Sequence, residues 1–452
     1  MTQQPQNNFV PTLTSPAPPT SPSANRFAGL DHLRALAIIL VFIYHSGFIG
    51  GHPASLDGIG AFGWTGVDLF FVLSGYLIGG QLLARIARHQ SIAYGEFYIK
   101  RSMRILPAYL VVLTLYFLIP AFRERSELPP LWRFLTFTQN YGLDLVHEGA
   151  FSHAWSLCIE EQFYLGLPLL ILLITAIGPA RHNSSVRHTG PAPHASPAHR
   201  SVWVLPALFL LGFGLRLYNW CHFLEPILRT PDQPGFASAY YKWIYYPAYT
   251  RLDGLLAGVS LAALYHFRPR TWQRITRHGN TLLLASLGLI AAAWWVAHNQ
   301  FQYSFRGAIF GYPLISLAYG VLVLAALSPS CILYRYPSRL TALIAALSYS
   351  IYLTHKQLIH LSHGLLDRWL DPHGWPSYLV CIAVCGLGGW LLRVAVELPF
   401  LRLRDKWLSR SRPAPASPPA TVPITISAPA PLPEPTAVPT SLPKPTATPA
   451  PK

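Results

Sequence analysis

Apolar residues occur in about ten long runs, separated by shorter polar segments. A membrane-spanning α-helix needs about 20 consecutive, mainly apolar residues, and the runs reach or approach that length. Several runs contain Gly or Pro, which membrane helices tolerate. The pattern predicts an all-α, polytopic transmembrane bundle of about ten spans, at approximately 29–49, 63–83, 103–121, 154–177, 202–219, 249–266, 281–298, 307–327, 340–361 and 377–398.

Two terminal segments lie outside this pattern. Residues 1–26 are polar and rich in Pro and Ser, and residues 411–452 are rich in Pro, Ala, Thr and Ser. Such compositions do not form a packed core, so we predict a disordered N-terminal lead and an extended, disordered C-terminal tail. The transmembrane domain is expected to cover residues 27–410, with no appended soluble catalytic domain and no cleavable signal peptide.

The composition supports a membrane location. Of the 452 residues, 52% are hydrophobic and only 12% are charged, whereas soluble globular proteins carry about 25% charged residues. A soluble protein of this size would expose too much surface for so few charges. The five cysteines show no metal-ligand spacing and no disulfide framework, so we expect no metal site.

The formal net charge of +16 comes from short basic clusters between the apolar runs. Lys and Arg collect in the cytoplasmic loops of membrane proteins, and alternate loops of this chain carry the clusters. We therefore predict that both termini lie in the cytoplasm, with an even number of spans. Nucleic-acid binding would need a basic face on a folded soluble module, and no segment offers one.

The first apolar run contains two ionisable residues, Arg34 and His45. Charged groups inside a span are costly, so each is a functional candidate. Their spacing places them about 16 Å apart along a helix and on the same face. Arg34 would lie near the cytoplasmic mouth and His45 deeper in the membrane. Each also has a structural interpretation, Arg34 as a snorkelling anchor and His45 as a hydrogen-bonded core histidine.

Two further polar pairs accompany the third and fourth runs. Arg101 and Arg104 share a helix face and are either ordinary loop charges or a clamp for phosphate groups. Glu160 and Glu161 point about 100° apart on a helix, so at most one is expected to face the cavity of His45. There a carboxylate would orient an imidazole. The alternative is an acidic pair beside a helix N-terminus.

Four residues later in the chain are further candidates. Arg251 and Asp253 open the sixth run, and we expect them to form structural pairs with each other or with charges elsewhere. His355 in the ninth run is the main alternative to His45 as a catalytic base. Glu397 ends the tenth run, where it can hold arginines of the cytoplasmic side.

Taken in order, these motifs resemble the membrane-bound acyltransferase-3 family over about residues 27–410. Each motif is weak alone, but the collinear series is specific. The series consists of Arg34 followed ten residues later by His45, Gly66-Val-Asp68-Leu-Phe-Phe-Val-Leu-Ser74-Gly75, Arg101 with Arg104, Trp155-Ser-Leu with Glu160-Glu161-Gln-Phe-Tyr, Arg251-Leu-Asp253-Gly, Ser348-Tyr-Ser-Ile-Tyr352-Leu-Thr-His355, and Glu397-Leu-Pro399.

The resemblance implies an integral membrane O-acyltransferase with ten core spans. Such an enzyme moves an acyl group, often acetyl, from acyl-CoA such as acetyl-CoA to a hydroxyl of a carbohydrate, a glycolipid or a small molecule. The acyl-CoA is then a co-substrate, and no tightly bound cofactor is expected. The expected location is the cell membrane, in bacteria the inner membrane.

The resemblance also implies roles for residues of this chain. His45 would be the catalytic residue, supported by one of Glu160 and Glu161. Arg34 and the Arg101/Arg104 pair would bind the charged groups of the donor. The other motif positions would bind substrate or serve as structural polar groups, namely Asp68, Ser74, Trp155, Arg251, Asp253, Tyr352 and His355.

Two other functions are compatible with buried polar residues. A transporter or flippase for a sugar or lipid-linked substrate also lines its path with Arg, His and carboxylates. Transporters of this size often contain an internal repeat, and no convincing repeat is visible here. A non-catalytic membrane scaffold would need Arg34 and His45 for stability alone.

Overall fold

The computed structural model describes residues 23–177, 203–230, 232, 235–297 and 303–410. Residues 1–22 of the predicted lead and the whole predicted tail lie outside this part of the chain. The first helix begins at Ser23, so the last residues of the predicted lead are helical, where the proline-rich segment ends at Pro22. All packing described below lies within the compact unit that ends at Lys406.

The described residues form helices and no strand, which confirms the predicted all-α class. Each of the ten predicted apolar runs falls on a long helix. The ten are α1 (Ser23–Ile49), α2 (Gly66–Ala87), α3 (Tyr94–Leu118), α4 (Trp155–Ile177), α5 (Val204–Asn219), α6 (Asp253–Phe267), α7 (Gly279–Ala297), α8 (Tyr312–Ala326), α9 (Arg339–Leu366) and α10 (Trp375–Leu392).

Shorter helical segments connect or extend the long ones. After α10 the chain passes through the π-helical turn Arg393–Glu397 into the helix Leu398–Arg410. The other α-helical segments are Asp57–Phe62, Leu131–Leu135, Glu225–Leu228, Phe236–Tyr240, Pro269–Thr276 and Ile332–Arg335, and further π-helical turns lie at Trp220–Leu224, Tyr241–Tyr245 and Gly307–Gly311.

Seven helical segments in the described part of the chain are long and apolar enough to cross a membrane. They include α1–α5, α8 and α10 with its extension. The apolar helices α6 and α7 are shorter, while α9 is long but interrupted by polar residues. The protein is therefore a helical membrane protein. The span count of ten and the cytoplasmic location of both termini stay predictions.

Helices α2 and α6 approach each other closely at glycines. A Cβ atom built on Gly75 would lie 2.1 Å from the backbone oxygen of Leu255. A Cβ atom on Gly258 of α6 would lie 2.2 Å from the backbone oxygen of Val72. Small residues at helix contacts let backbones approach in this way. The contact places Asp68 of α2 beside the start of α6.

Two buried ion pairs connect the start of α6 to neighbouring helices. Arg251 Nη2 donates to Asp68 Oδ1 at 2.8 Å, and Arg216 Nη1 donates to Asp253 Oδ2 at 2.6 Å. Arg251 and Asp253 are thus paired with charges elsewhere rather than with each other. Asp68 belongs to α2 and Arg216 to α5, so Arg251 and Asp253 each have an ion-pair partner on another helix. Their predicted structural role fits these contacts.

Aromatic rings surround the Arg251 guanidinium. It lies 3.9 Å from the ring centroid of Tyr312, 4.6 Å from that of Tyr245 and 5.3 Å from that of Trp155. Cation–π contacts of a desolvated arginine contribute about 2 kcal/mol. Trp155 therefore packs against the ion pair as a structural residue.

We expect Gly75→Ala to destabilise the protein by about 1–3 kcal/mol, because the added methyl group overpacks the α2–α6 contact. Gly80→Ala on the same helix is the matched control, since its Cβ would meet only Ala262 Cβ, at 3.8 Å. Thermal unfolding in detergent measures both variants. Equal melting temperatures would contradict the close contact.

Candidate active site

A cavity lies between α1, α2, α3, α4 and α9, and its charged residues were all candidates in the sequence. Arg34 comes from α1, Arg101 and Arg104 from α3, and Glu160 from α4. The cavity has a volume of about 100 Å³ and is open to the surroundings. We call it the arginine cavity; the rest of its lining includes Val67, Phe70, Phe71, Ser74, Ser156, Leu157, Tyr349 and Tyr352.

The three arginines of this cavity lack acidic partners. Among the described residues, none of Arg34, Arg101 and Arg104 has a carboxylate oxygen within 4.0 Å. The Nε atom of Arg101 is buried without a hydrogen-bond partner, and its guanidinium lies 3.9 Å from the ring centroid of Tyr164. One carboxylate, that of Glu160, lines the cavity beside the three arginines, so the positive groups are in excess and an anion would balance them. The cavity therefore fits an anionic ligand such as a phosphate group.

Glu160 and Glu161 differ in their surroundings. Glu160 accepts hydrogen bonds from Ser74 Oγ at 2.9 Å and from the Tyr164 hydroxyl at 2.8 Å. One oxygen of Glu161 is buried without a partner among the described residues. Glu160 is thus the glutamate that lines the arginine cavity, and Ser74 is the hydroxyl bound to it.

A second cavity adjoins the first at Arg34 and Arg104. Its other charged residues are Asp31, Arg393 and Glu397. Glu397 accepts a hydrogen bond from Arg393 Nη1 at 3.0 Å, in agreement with its predicted contact with an arginine. The two cavities share Arg34 and Arg104, so these side chains separate neighbouring polar spaces.

Farther along α1, His45 meets His355 of α9. The distance between His45 Nδ1 and His355 Nε2 is 2.9 Å. The two histidines, which the sequence offered as alternatives, therefore form one hydrogen-bonded pair. Because α1 packs against α9, residues more than 300 positions apart come together here.

The backbone of α9 determines which nitrogen of each ring carries the proton. His355 Nδ1 lies 2.8 Å from the carbonyl oxygen of Tyr352 and must be a donor there. In the neutral ring His355 Nε2 is then an acceptor, so His45 Nδ1 donates to it. His45 Nε2 keeps its lone pair and has no hydrogen-bond partner among the described residues. The half-buried His45 is thus preset as a proton acceptor.

Tyr352 separates the arginine cavity from the histidine pair. It lines the cavity, and its ring centroid lies 5.8 Å from that of His355. Its hydroxyl donates to the carbonyl oxygen of His153 at 2.6 Å and lies 2.5 Å from Ser156 Oγ. One aromatic side chain therefore stands between the arginines of the cavity and the histidine pair.

The structure brings most of the predicted site residues either to the arginine cavity or to the His45–His355 pair. It does not bring a glutamate to His45. Glu160 faces Ser74 and the arginine cavity, and the hydrogen-bond partner of His45 is His355. The reason is geometric, since α9 and not α4 lies along the histidine end of α1. The prediction of a carboxylate that orients His45 directly is not supported by these contacts.

Sequence reasoning missed a buried ion pair beside the histidines. Lys356 Nζ lies 2.9 Å from Glu124 Oε1, and the Tyr116 hydroxyl donates to Glu124 Oε2 at 2.7 Å. Lys356 directly follows His355, and a lysine inside an apolar run is a functional or structural signal. That signal was present in the sequence, but the partner Glu124 lies in a loop that no periodicity marks.

Glu124 lies outside the spans. Burial raises the pKa of its carboxyl, but the charge of Lys356 and the hydrogen bonds from Tyr116 and Lys356 outweigh burial and lower the pKa below 4.5. Glu124 is therefore ionised in the folded protein at neutral pH. It connects the loop that follows α3 to the helix that carries His355.

Comparison with known proteins agrees with the motifs. A family model described as an acyltransferase domain, that of the acyltransferase-3 family, matches residues 27–394. The peptidoglycan O-acetyltransferase OatA of Listeria monocytogenes is 28% identical over 375 residues, which are 77% of this chain and 52% of that protein. The O-acetyltransferase OatA of Staphylococcus aureus is 28% identical over 348 residues, 73% and 50% of the two chains. The chain spans about half the length of these relatives. No solved structure matches it.

The fold and the two polar sites define a helical membrane protein with an arginine-lined cavity near one end of its first helix and a pair of histidines farther along. This class agrees with the family match. The chain belongs to the acyltransferase-3 family of membrane-bound acyltransferases, which confirms the resemblance seen in the motifs.

We expect Glu124→Gln to destabilise the protein by about 3–5 kcal/mol near neutral pH, because it leaves Lys356 buried without a counter-charge. The folded-state pKa of Glu124 lies below 4.5. The ionised carboxylate therefore contributes its full stabilisation above pH 4.5 and loses it as the pH falls through the folded-state pKa. Thermal unfolding of both proteins from pH 7 to pH 3.5 measures the difference, which should shrink at the acid end.

The control for this series is Glu148→Gln in the same loop. Glu148 is about one-third exposed and lies 4.0 Å from Arg133, so its replacement should cost less than 1 kcal/mol. A loss for Glu124→Gln no larger than that of the control would contradict the buried pair.

Proposed function

We propose that the protein is an integral membrane O-acyltransferase that moves a short acyl group, acetyl, from acyl-CoA to a hydroxyl of a carbohydrate acceptor. One observation carries the proposal. Three arginines without acidic partners line a cavity, and the helix that supplies Arg34 also supplies His45, whose Nε2 is free to accept a proton. Anion binding and general-base chemistry are the two functions that acyl transfer from a charged thioester requires.

The donor side of the proposal rests on charge. Coenzyme A carries phosphate groups, and arginine forks bind phosphate oxygens in bidentate fashion. Arg101 and Arg104 would hold these groups, with Arg34 nearer the thioester. The acyl-CoA acts as a co-substrate that enters from the cytoplasm, which places the arginine end of α1 on that side of the bacterial inner membrane. This orientation agrees with the positive-inside distribution of basic residues.

The chemistry would take place at His45. Its Nε2 accepts the proton of the acceptor hydroxyl while the hydroxyl oxygen attacks the thioester carbonyl carbon. The carbon–sulfur bond breaks, and the thiolate takes the proton as it leaves. The hydrogen bond from His45 Nδ1 to His355 holds the ring in the required tautomer through both steps.

The names of the relatives support a glycan acceptor. The relative from Listeria monocytogenes is named a peptidoglycan O-acetyltransferase. A hydroxyl of an envelope glycan, presented to the histidine end of α1, is the corresponding acceptor for this chain. Purified protein in nanodiscs with radiolabelled acetyl-CoA and de-O-acetylated peptidoglycan fragments tests the function. Label that stays entirely in the donor would contradict the proposal and favour a transporter.

We expect His45→Ala to lower acetyl transfer by about 10²–10⁴-fold, the usual contribution of a general base. The assay measures label in the glycan at saturating acetyl-CoA, with protein level and melting temperature as checks on folding. His278→Ala is the control, because His278 is exposed and lies outside both sites. Full activity of His45→Ala would exclude the assigned role.

We expect Arg101→Ala to raise the KM for acetyl-CoA by about tenfold or more with a smaller change in kcat, since the removed contact binds donor phosphate in the ground state. Arg88→Ala is the matched control, because Arg88 is an exposed arginine at the end of α2. Initial rates over a range of acetyl-CoA concentrations measure both variants. An unchanged KM for Arg101→Ala would place the donor elsewhere.

A further inference from the structure

A third imidazole, that of His153, lies against the histidine pair. Its ring centroid is 5.1 Å from that of His355 and 6.2 Å from that of His45, and both contacts are edge-on. His153 is 2% exposed and belongs to the short turn Ser152–Ala154 that precedes α4. The chemistry described so far gives this residue no role.

The backbone before His153 has an unusual conformation. Phe151 adopts the left-handed region with φ of 54°, which non-glycine residues rarely adopt. Its N–H donates to Glu124 Oε1 at 3.1 Å, and its ring packs edge-on against the ring of His153 at 5.1 Å. Strained backbone of this kind persists where surrounding contacts hold it, and it is common at functional sites.

Two further contacts hold the same turn. Lys356 Nζ donates to Ser152 Oγ at 3.0 Å, and the Tyr352 hydroxyl donates to the carbonyl oxygen of His153 at 2.6 Å. Lys356 and Tyr352 flank His355 on α9. The position of the His153 ring is therefore determined by the same helix that orients the base.

The two ring nitrogens of His153 are nevertheless not used in hydrogen bonding. Neither has a well-formed hydrogen bond with any described residue, although the ring is buried. The backbone of Leu353 lies close to the ring, but the contact does not have hydrogen-bond geometry. Buried polar atoms without partners are rare in proteins, and each calls for an explanation. A ligand oxygen bound here would satisfy one of these nitrogens.

The position of His153 indicates which oxygen it binds. Its carbonyl oxygen accepts from Tyr352, which lines the arginine cavity, and its ring faces His45 and His355. The ring of Tyr352 contacts the ring of His153, and the His153 ring contacts that of His45, so under the proposed function the acyl group reaches His45 beside these side chains. The acyl carbonyl is therefore the oxygen that comes within reach of a His153 N–H.

We propose that His153 is a catalytic residue that donates a ring N–H to the acyl carbonyl oxygen while His45 deprotonates the acceptor hydroxyl. The inference rests on the proposed acyltransferase function. A donor aimed at the oxygen where negative charge develops stabilises that charge without reorganising at the moment of reaction. The acyl-transfer site then comprises one base, His45, and one oxyanion donor, His153.

The step balances as follows for the acyl group. The acceptor oxygen forms a bond to the carbonyl carbon, and its proton moves to His45 Nε2. The carbonyl electron pair moves onto the oxygen that His153 holds. Its return re-forms the carbonyl and breaks the carbon–sulfur bond, and the thiolate takes the proton from His45. The products are the ester and free coenzyme A.

The experiment compares three variants of the full chain in nanodiscs, with labelled acetyl-CoA and de-O-acetylated peptidoglycan fragments as substrates. His153→Leu and His153→Ala remove the donor, and we expect kcat to fall by about 10²–10³-fold with little change in the KM for acetyl-CoA. His153→Gln keeps an N–H of similar reach and should stay within about tenfold of the original protein. Melting temperatures are measured for all three.

The outcomes separate this inference from the proposed function. An original protein that transfers no label contradicts the proposed function, and with it this role for His153. An active protein whose His153→Leu variant is equally active contradicts the inference alone. A Gln variant as inactive as Leu indicates a structural role and overturns it as well. Loss of the acidic limb of the pH–rate profile in the active Gln variant would make His153 the base instead, contrary to the proposal.

Discussion

An ionisable side chain inside an apolar helix bundle must find a partner of opposite charge or a strong hydrogen bond, since isolated charges there are costly to desolvate. Most buried charges of this protein obey that constraint. Arg251 pairs with Asp68, and Arg216 pairs with Asp253, so that both pairs hold helices together.

Arg34, Arg101 and Arg104 differ from those pairs, because they line a cavity and have no carboxylate within 4.0 Å among the described residues. The paired arginines join helices, whereas these three arginines present their guanidinium groups to a cavity. The same comparison applies to the histidines. His45 and His355 satisfy one another along α1 and α9, whereas the ring of His153 has no well-formed partner.

Tyr352 lies between the two parts of the site. It forms part of the wall of the arginine cavity, and its hydroxyl binds the turn that carries His153. A donor held by the arginines and an acceptor at His45 would meet across this one side chain.

The sequence by itself determined the helical membrane class and most of the residues of the site. Apolar runs of spanning length and a shortage of charge leave few other folds, and residues such as Arg34, His45, Arg101 and Arg104 stood out because polar groups in such runs are expensive. Their order along the chain was enough to reveal the family.

Only the tertiary structure decided which of these residues act together. His45 and His355 lie 310 positions apart in the chain, and the contact of α1 with α9 makes them one pair instead of two alternatives. The structure places Glu160 in the lining of the arginine cavity. Glu124 and His153 lie in a loop and a turn that no hydrophobic periodicity marks, so only the structure shows their contacts. Spacing along one helix predicts which residues share a face, but the partner across the bundle depends on how the helices pack.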